Sequence, residues 1–217
     1  LAERITRCTA MVVGPGMGRQ DGGAFLSALL TLPGRPPVVL DADALMLSAG
    51  HTAILASLGP QDIITPHPGE AAALLGASAA DVQADRLAAL QSLCGLSKAA
   101  VVLKGAGCLV GQAGRPWLLS PFDVPALAVA GSGDVLSGCL GALLAHRAIN
   151  QEGDALKAAA LGVALHALAG IERMCHAQRG HLASELADAL PRVWACCTQQ
   201  ADRSMNTEEE LPWMPFA

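Results

Sequence analysis

The chain has 217 residues, of which 52% are hydrophobic and 15% charged, and its formal net charge is −5. That balance excludes intrinsic disorder, which needs low hydrophobicity and high net charge. The mild acidity, with three Trp, three Phe and no Tyr, also argues against a surface that grips a phosphate backbone or stacks single-stranded bases, so no nucleic-acid partner is expected.

In chain order, the first predicted strand is Met11–Val13, which runs into Gly14-Pro15-Gly16-Met17-Gly18. A helix is predicted over 22–31. The run Val38–Leu40 follows and ends at Asp41-Ala42-Asp43, with a helix over 43–49. Ile63-Ile64 leads into Thr65-Pro66-His67-Pro68-Gly69-Glu70 and a helix over 69–76. Next comes a helix over 81–94, with Asp81 as its N-cap and Gly95 just past its end. Val101–Leu103 ends at Lys104-Gly105-Ala106-Gly107. Leu109-Val110 and Trp117–Leu119 flank Gly111–Pro116 and read as a hairpin. Helices over 133–148, 154–174 and 182–198 complete the set, the second so rich in Ala and Leu that burial on most sides is expected. Short, wholly apolar runs are the mark of buried parallel strands, and their alternation with helices implies an α/β fold around a mainly parallel sheet. Residues 1–200 are expected to form one domain, and 201–217 a polar, disordered tail.

No apolar run of spanning length is free of charge and turn signals, so no membrane partner is expected. The start at Leu1 carries neither Met nor a signal-peptide pattern. The seven cysteines are odd in number, scattered and without a CxxC pair, which favours reduced thiols in a cytoplasm over disulfides or a metal site.

Four polar clusters follow the four best strands. In an open α/β sheet, ligands bind beyond the carboxyl ends of the strands, so these clusters are expected to share one crevice. The strongest is Gly131-Ser132-Gly133-Asp134 at the head of an apolar helix. Its free N–H groups and helix dipole make an anion site. Asp134 would repel a phosphate there; it either caps the helix or takes a proton from a hydroxyl that attacks the phosphate. Lys104 either neutralises phosphate beside a glycine loop or is a strand-end lysine at a plain hairpin. His67, between two prolines, either faces a ligand from a stiff loop or caps the next helix. The glycine turn at 14–18 allows close backbone approach, or is simply a tight turn. Asp43 reads as a helix cap, and Asp41 as a group near the site or near a metal-bound phosphate. His166 reads as a hydrogen-bonded core histidine rather than a ligand.

GPGMGR at 14–19, VVLDADAL at 38–45, ITPHPGEAAALLG at 64–76, VVLKGAG at 101–107, AGSGDVLSG at 130–138 and GVALHALAG at 162–170 occur in one order. This set resembles the ADP-dependent NAD(P)H-hydrate dehydratases, from about residue 3 to about residue 190. The resemblance implies a ribokinase-like three-layer sandwich. It also implies repair of (S)-NADHX and (S)-NADPHX to NADH and NADPH, with ADP (or ATP) as co-substrate, Mg2+ alongside it, and AMP and phosphate released. By the same resemblance Asp134 is the catalytic base. Gly16, Gly18, His67 and Asp134 hold the hydrated coenzyme. Lys104, Gly105, Ala106, Gly107, Cys108, Gly131, Ser132 and Gly133 bind the nucleotide, and the chain forms a homo-oligomer, a tetramer in the family. The family domain ordinarily begins well before the position of Leu1, so the first strand of the sheet is expected to be missing. Cys108 stands where Thr is common, and Val124 where Asn is usual. Two other readings share the anion site: a small-molecule kinase of the same superfamily, and a non-catalytic nucleotide-binding remnant.

Overall fold

The computed structural model of the chain describes residues 2–20, 22–149, 154–175 and 180–206. Within these residues, α1 is Ala2–Ile5, β1 Met11–Val13, α2 Gly22–Leu30, β2 Val38–Leu40, α3 Asp43–Ser48 and α4 Thr52–Ala56. They are followed by β3 Ile63–Ile64, α5 Pro68–Leu75, α6 Ala79–Ala84, α7 Arg86–Leu96, β4 Ala100–Leu103, β5 Leu109–Gly111 and β6 Leu118–Leu119. A 3-10 turn at Pro125–Leu127 leads to α8 Ser132–Ile149, α9 Ala155–Met174 and α10 Ala183–Asn206.

The strands form one sheet in chain order, β1 to β6. β1 to β4 are parallel, and β5 and β6 turn back antiparallel as the expected hairpin. Consecutive parallel strands that are also neighbours need crossovers of one hand, which lie on one face of the sheet. The early helices accordingly cover one face, and α8 to α10 cover the other.

The two cores show this through the period-two alternation of the strands. Val38 and Leu40 pack with Leu26, Leu45, Ala71 and Leu93 of the early helices. Val39 points the other way and packs with Leu140 of α8, Val163 of α9 and Ala189 of α10. In β4, Val101 and Leu103 face the first group and Ala100 and Val102 the second. Each strand of this pair is therefore apolar on both sides, as its sequence suggested. The architecture is the expected α/β/α sandwich. β1 is an edge strand among the described residues, and Val12 on it is 41% exposed.

Several elements differ from the sequence reading. The helix expected over 81–94 is two helices. Ser78, not Asp81, caps α6; Asp81 Oδ2 accepts a hydrogen bond from the Ser78 N–H as the third residue of a capping box. Asp85 then caps α7 through the Ala88 N–H, and two caps in succession break the segment. Gly95 lies inside α7 rather than beyond it. The short helices α1 and α4 were not foreseen. α10 continues through Asn206 despite Pro191, which extends the helix into the first residues of the polar tail; 207–217 lie outside the described residues. α9 is long and apolar enough to cross a membrane by length and composition, although Lys157, Glu172 and Arg173 interrupt it, and most of it is buried. Its Ala- and Gly-rich surface lets α8, α10 and the sheet approach closely; a Cβ on Gly162 would lie 2.5 Å from Leu140 Cδ2.

Candidate functional site

The carboxyl ends of β1, β2, β3 and β4 lead into the glycine turn, Asp41, Thr65-Pro66-His67 and Lys104. Asp41 is the point where they meet. Its side chain is buried, and Oδ1 accepts a hydrogen bond from Lys104 Nζ at 2.8 Å. Its Oδ2 accepts from Ser137 Oγ of α8 at 2.6 Å. Glu70 Oε2 of α5 lies 3.6 Å from the same ammonium. Burial pushes the Asp41 carboxyl up, but the Lys104 charge and hydrogen bonds from Lys104, Ser137 and Thr65 outweigh it and hold the carboxyl below its ordinary value. A buried carboxylate is tolerated here because it is paired and doubly hydrogen-bonded.

The backbone around Asp41 is equally constrained. Gly14 has φ 127°, and a Cβ there would fall 1.7 Å from the Asp41 carbonyl oxygen. Glycine is required at that position for contact as well as conformation. Ala42 has φ 48° and ψ −120°, the only non-glycine residue with positive φ among the described residues. Such a conformation is held only when its surroundings over-determine it.

A cleft of about 470 Å3 opens beside this cluster. One wall is the β4–β5 turn, with Lys104, Gly105, Ala106 and Cys108; the other is the head of α8, with Ser132, Gly133 and Leu136. The floor is apolar, from Phe122, Val124, Pro125, Leu127, Val163 and Ala167. A Cβ on Gly133 would lie 3.5 Å from Lys104 Nζ, so this glycine brings the head of α8 up to the ammonium. His166 of α9 also lines the cleft, and its Nε2 lies 3.2 Å from Ser132 Oγ. Burial is the main reason its imidazole is lowered to about 4; the nearby Lys104 charge adds to this, and Ser132 opposes it. The ring is therefore neutral at physiological pH. It is the buried, hydrogen-bonded histidine expected from the sequence, and it also faces the cleft.

His67 has both roles that the sequence left open. Its Nδ1 accepts from the Gly69 and Glu70 N–H groups and caps α5, with Pro68 at the first helical position. It also lines the mouth of the cleft. Since Nδ1 accepts, the proton of the neutral ring resides on Nε2, 3.4 Å from Glu70 Oε1. Lys104 is turned inward, with a side chain 18% exposed, and is not a solvent-facing strand-end lysine.

Of the remaining candidates, Asp134, Gly16, Gly18, Gly107, Gly131 and Asp43 are not among the residues that line the cleft. Asp134 is the third residue of α8 and exposed, one position beyond Gly133. Gly16 and Gly18 sit in the exposed β1–α2 turn with φ 66° and 76°. Gly107 and Gly131 flank the two walls with φ 61° and 83°. Asp43 is not the cap of α3, since it is the first helical residue. Its Oδ2 accepts from the Gly18 N–H at 3.0 Å and its Oδ1 from Arg19 Nε at 3.0 Å, which ties the glycine turn to the helix. Val124 is buried in the cleft floor.

Sequence reasoning missed Arg86. The first residue of α7 reaches over the β4–β5 turn and donates to the carbonyls of Ala106, Leu103 and Lys104. It also missed Ser137, although Gly133 and Ser137 are four apart and so share a helical face.

Among the described residues, no three of His, Cys, Asp and Glu gather in a way that could hold a metal ion. Asp41 and Glu70 are already committed to Lys104.

Comparison with known proteins agrees with the geometry. The family described as NAD(P)H-hydrate dehydratase matches residues 2–192. The ADP-dependent (S)-NAD(P)H-hydrate dehydratase of Neisseria meningitidis is 41% identical over 185 residues, 83% of this chain and 61% of that protein. The bifunctional NAD(P)H-hydrate repair enzyme Nnr of Vibrio cholerae is 42% identical over 186 residues, 85% of this chain but 35% of its own length. The chain thus spans about a third of the bifunctional relatives it matches. An ADP/ATP-dependent NAD(P)H-hydrate dehydratase from Bacillus subtilis, co-crystallised with ATP/Mg2+, superposes with a TM-score of 0.71 at 27% identity, covering 90% of this chain and 69% of that one. With its sheet, its cleft and its ordered motifs in agreement, the chain belongs to the NAD(P)H-hydrate dehydratase family.

Proposed function

We propose that this chain carries out ADP-dependent dehydration of (S)-NADHX and (S)-NADPHX to NADH and NADPH, releasing AMP and phosphate. The observation that carries the reading is the cleft between the Lys104 turn and the head of α8. An apolar floor suits a purine ring, while backbone N–H groups, the helix dipole and an ammonium suit its phosphates. Lys104, Gly105, Ala106, Gly107 and Cys108 would hold the nucleotide from one side, and Gly131, Ser132 and Gly133 from the other. Burial raises the Cys108 thiol, so it is an uncharged wall residue and not a thiolate.

On this reading, the hydrated coenzyme lies on the far side of the α8 head, near Gly16, Gly18 and His67. His67 offers its Nε2–H as a donor. Asp134 accepts the proton of the hydrate hydroxyl as its oxygen attacks the β-phosphorus of ADP, and the bond to AMP breaks. The C–O bond of the resulting phosphate ester then breaks, phosphate leaves with that electron pair, and loss of a ring proton restores the double bond. The hydroxyl oxygen thus leaves within phosphate, and the hydroxyl and ring hydrogens leave as protons. Mg2+ accompanying ADP would be held chiefly by the nucleotide's own phosphates and by water, and would neutralise charge on those phosphates. The seven unpaired cysteines support a reducing, cytoplasmic setting. The half-exposed β1 edge supports assembly into a homo-oligomer, a tetramer by family resemblance.

The test is consumption of the hydrates, followed by the return of reduced-nicotinamide absorbance, with and without ADP. AMP and phosphate should appear in equal amounts with the product. Formation of a stable phosphorylated product would instead support a kinase, and no ADP-dependent change would refute both.

A further inference from the structure

We infer that Asp41 is a positioning residue: it anchors the Lys104 ammonium at the head of α8 and thereby sets where the transferred phosphoryl group of ADP is held. The inference rests on the functional reading above and deepens it. None of the residues assigned there includes Asp41 or its second partner, Ser137.

A lysine side chain is a compact charge on a flexible stem, so by itself it does not fix a phosphate in one place. Here the ammonium is fixed. Asp41 Oδ1 holds it at 2.8 Å, and Asp41 is held in turn by Ser137 Oγ at 2.6 Å. Ser137 belongs to the helix whose first turn makes the anion site. The ion pair therefore registers the end of β4 against α8. On the other side, Gly14 admits the Asp41 carbonyl into contact, and Ala42 keeps a strained conformation immediately after it. A carboxylate with no positioning task would be an odd choice here. Asp41 and Glu70 both oppose phosphate binding electrostatically, and both lie within ion-pair distance of the Lys104 ammonium that favours it.

This geometry separates positioning from affinity. If Lys104 only supplied charge, removing a competing carboxylate would strengthen phosphate binding and leave the rest unchanged. If Asp41 positions Lys104, binding is kept or tightened while the phosphate sits elsewhere. A misplacement of about 1 Å can cost about a hundredfold in rate.

The experiment uses the full chain and two readouts that do not depend on turnover: calorimetric titration with ADP, and the phosphorus NMR resonance of the bound ADP β-phosphate. Lys104→Met serves as the reference for loss of the ammonium and is expected to weaken ADP by about tenfold or more. In Asp41→Asn the ADP affinity should be unchanged or tighter, while the β-phosphate resonance moves away from its wild-type position. Ser137→Ala removes one hydrogen bond from a buried hydroxyl and should show a smaller version of the same split; it also serves if Asp41→Asn folds poorly. Where turnover is measurable, kcat should fall about ten- to a hundredfold in Asp41→Asn without a rise in the KM for ADP. A resonance that stays at its wild-type position, or a loss of ADP affinity parallel to that of Lys104→Met, would overturn the inference. If the unmodified chain binds no ADP, the functional reading itself is refuted, which is a separate result.

Discussion

Replacing Lys104 with Met keeps most of the side-chain volume and removes the only cation in contact with Asp41 among the described residues. The Asp41 side chain is 2% exposed, so water cannot take over from the ammonium. Breaking one side of a buried pair typically costs about 3–5 kcal/mol, because the other charge is left uncompensated. Ser137 and Thr65 still hydrogen-bond Asp41, which places the cost toward the lower end. For a domain of this size, about 2–4 °C of Tm accompanies each kcal/mol, so a drop of about 6–12 °C is expected at neutral pH. The pH dependence is the sharper test. In the wild type, the Asp41 pKa is below its unfolded value, so its contribution is present above about pH 3.9 and is lost as pH falls through the lower folded value. In the variant, burial becomes the dominant influence and the folded pKa lies above the unfolded one. Protonation then relieves the penalty as pH falls. Thermal melts of both proteins from about pH 7.5 to about pH 4.5 should therefore converge toward the acid end. A Tm gap that is constant or widens on acidification would refute the account of Asp41 as a buried carboxylate held by Lys104.

Asp134→Asn should lower turnover of the hydrates by about 10²–10⁴ while leaving AMP affinity within about threefold; a variant with more than half the wild-type kcat would remove Asp134 from the role of base. Arg86→Ala frees the carbonyls of Leu103, Lys104 and Ala106, and calorimetry should show ADP binding weakened by about fivefold or more. Unchanged affinity would mean that the turn holds its shape without the arginine. His166 is lowered to about 4, so the unfolded chain binds more protons than the folded one between that value and about 6.5, and stability should fall as pH falls through this window. Denaturant titrations of His166→Gln should show a flatter slope there, and an identical slope would contradict a buried neutral ring. Gly14→Ala combines a φ of 127° with a Cβ 1.7 Å from the Asp41 carbonyl, and should destabilise by at least about 3 kcal/mol or fail to fold. Wild-type stability in that variant would mean that the β1 turn moves freely.

The strands and their order of burial were legible in the sequence because a strand covered on both faces must be apolar throughout, as in Val38–Leu40 and Val101–Leu103. The glycine turns and the head of α8 were legible because positive φ and close approach leave a residue-type signature at 14–18, 105–107 and 131. The motifs therefore determined the family, the fold class and the ends of the strands where a ligand would lie. The tertiary structure decided which polar groups meet there. Asp41 is 63 residues from Lys104 and 96 from Ser137, and no local period links them; the sheet order and the packing of α8 do. The same holds for Arg86, whose helix was legible but whose reach across to Ala106 depends on how α7 packs beside β4 and β5. It holds too for Asp43, which caps nothing because Asp41 and Ala42 take the chain into α3 in a strained turn. Short-range chemistry sets what each segment can become. The choice of partner for a buried charge is made only when distant segments exclude water together, because in water neither charge needs the other.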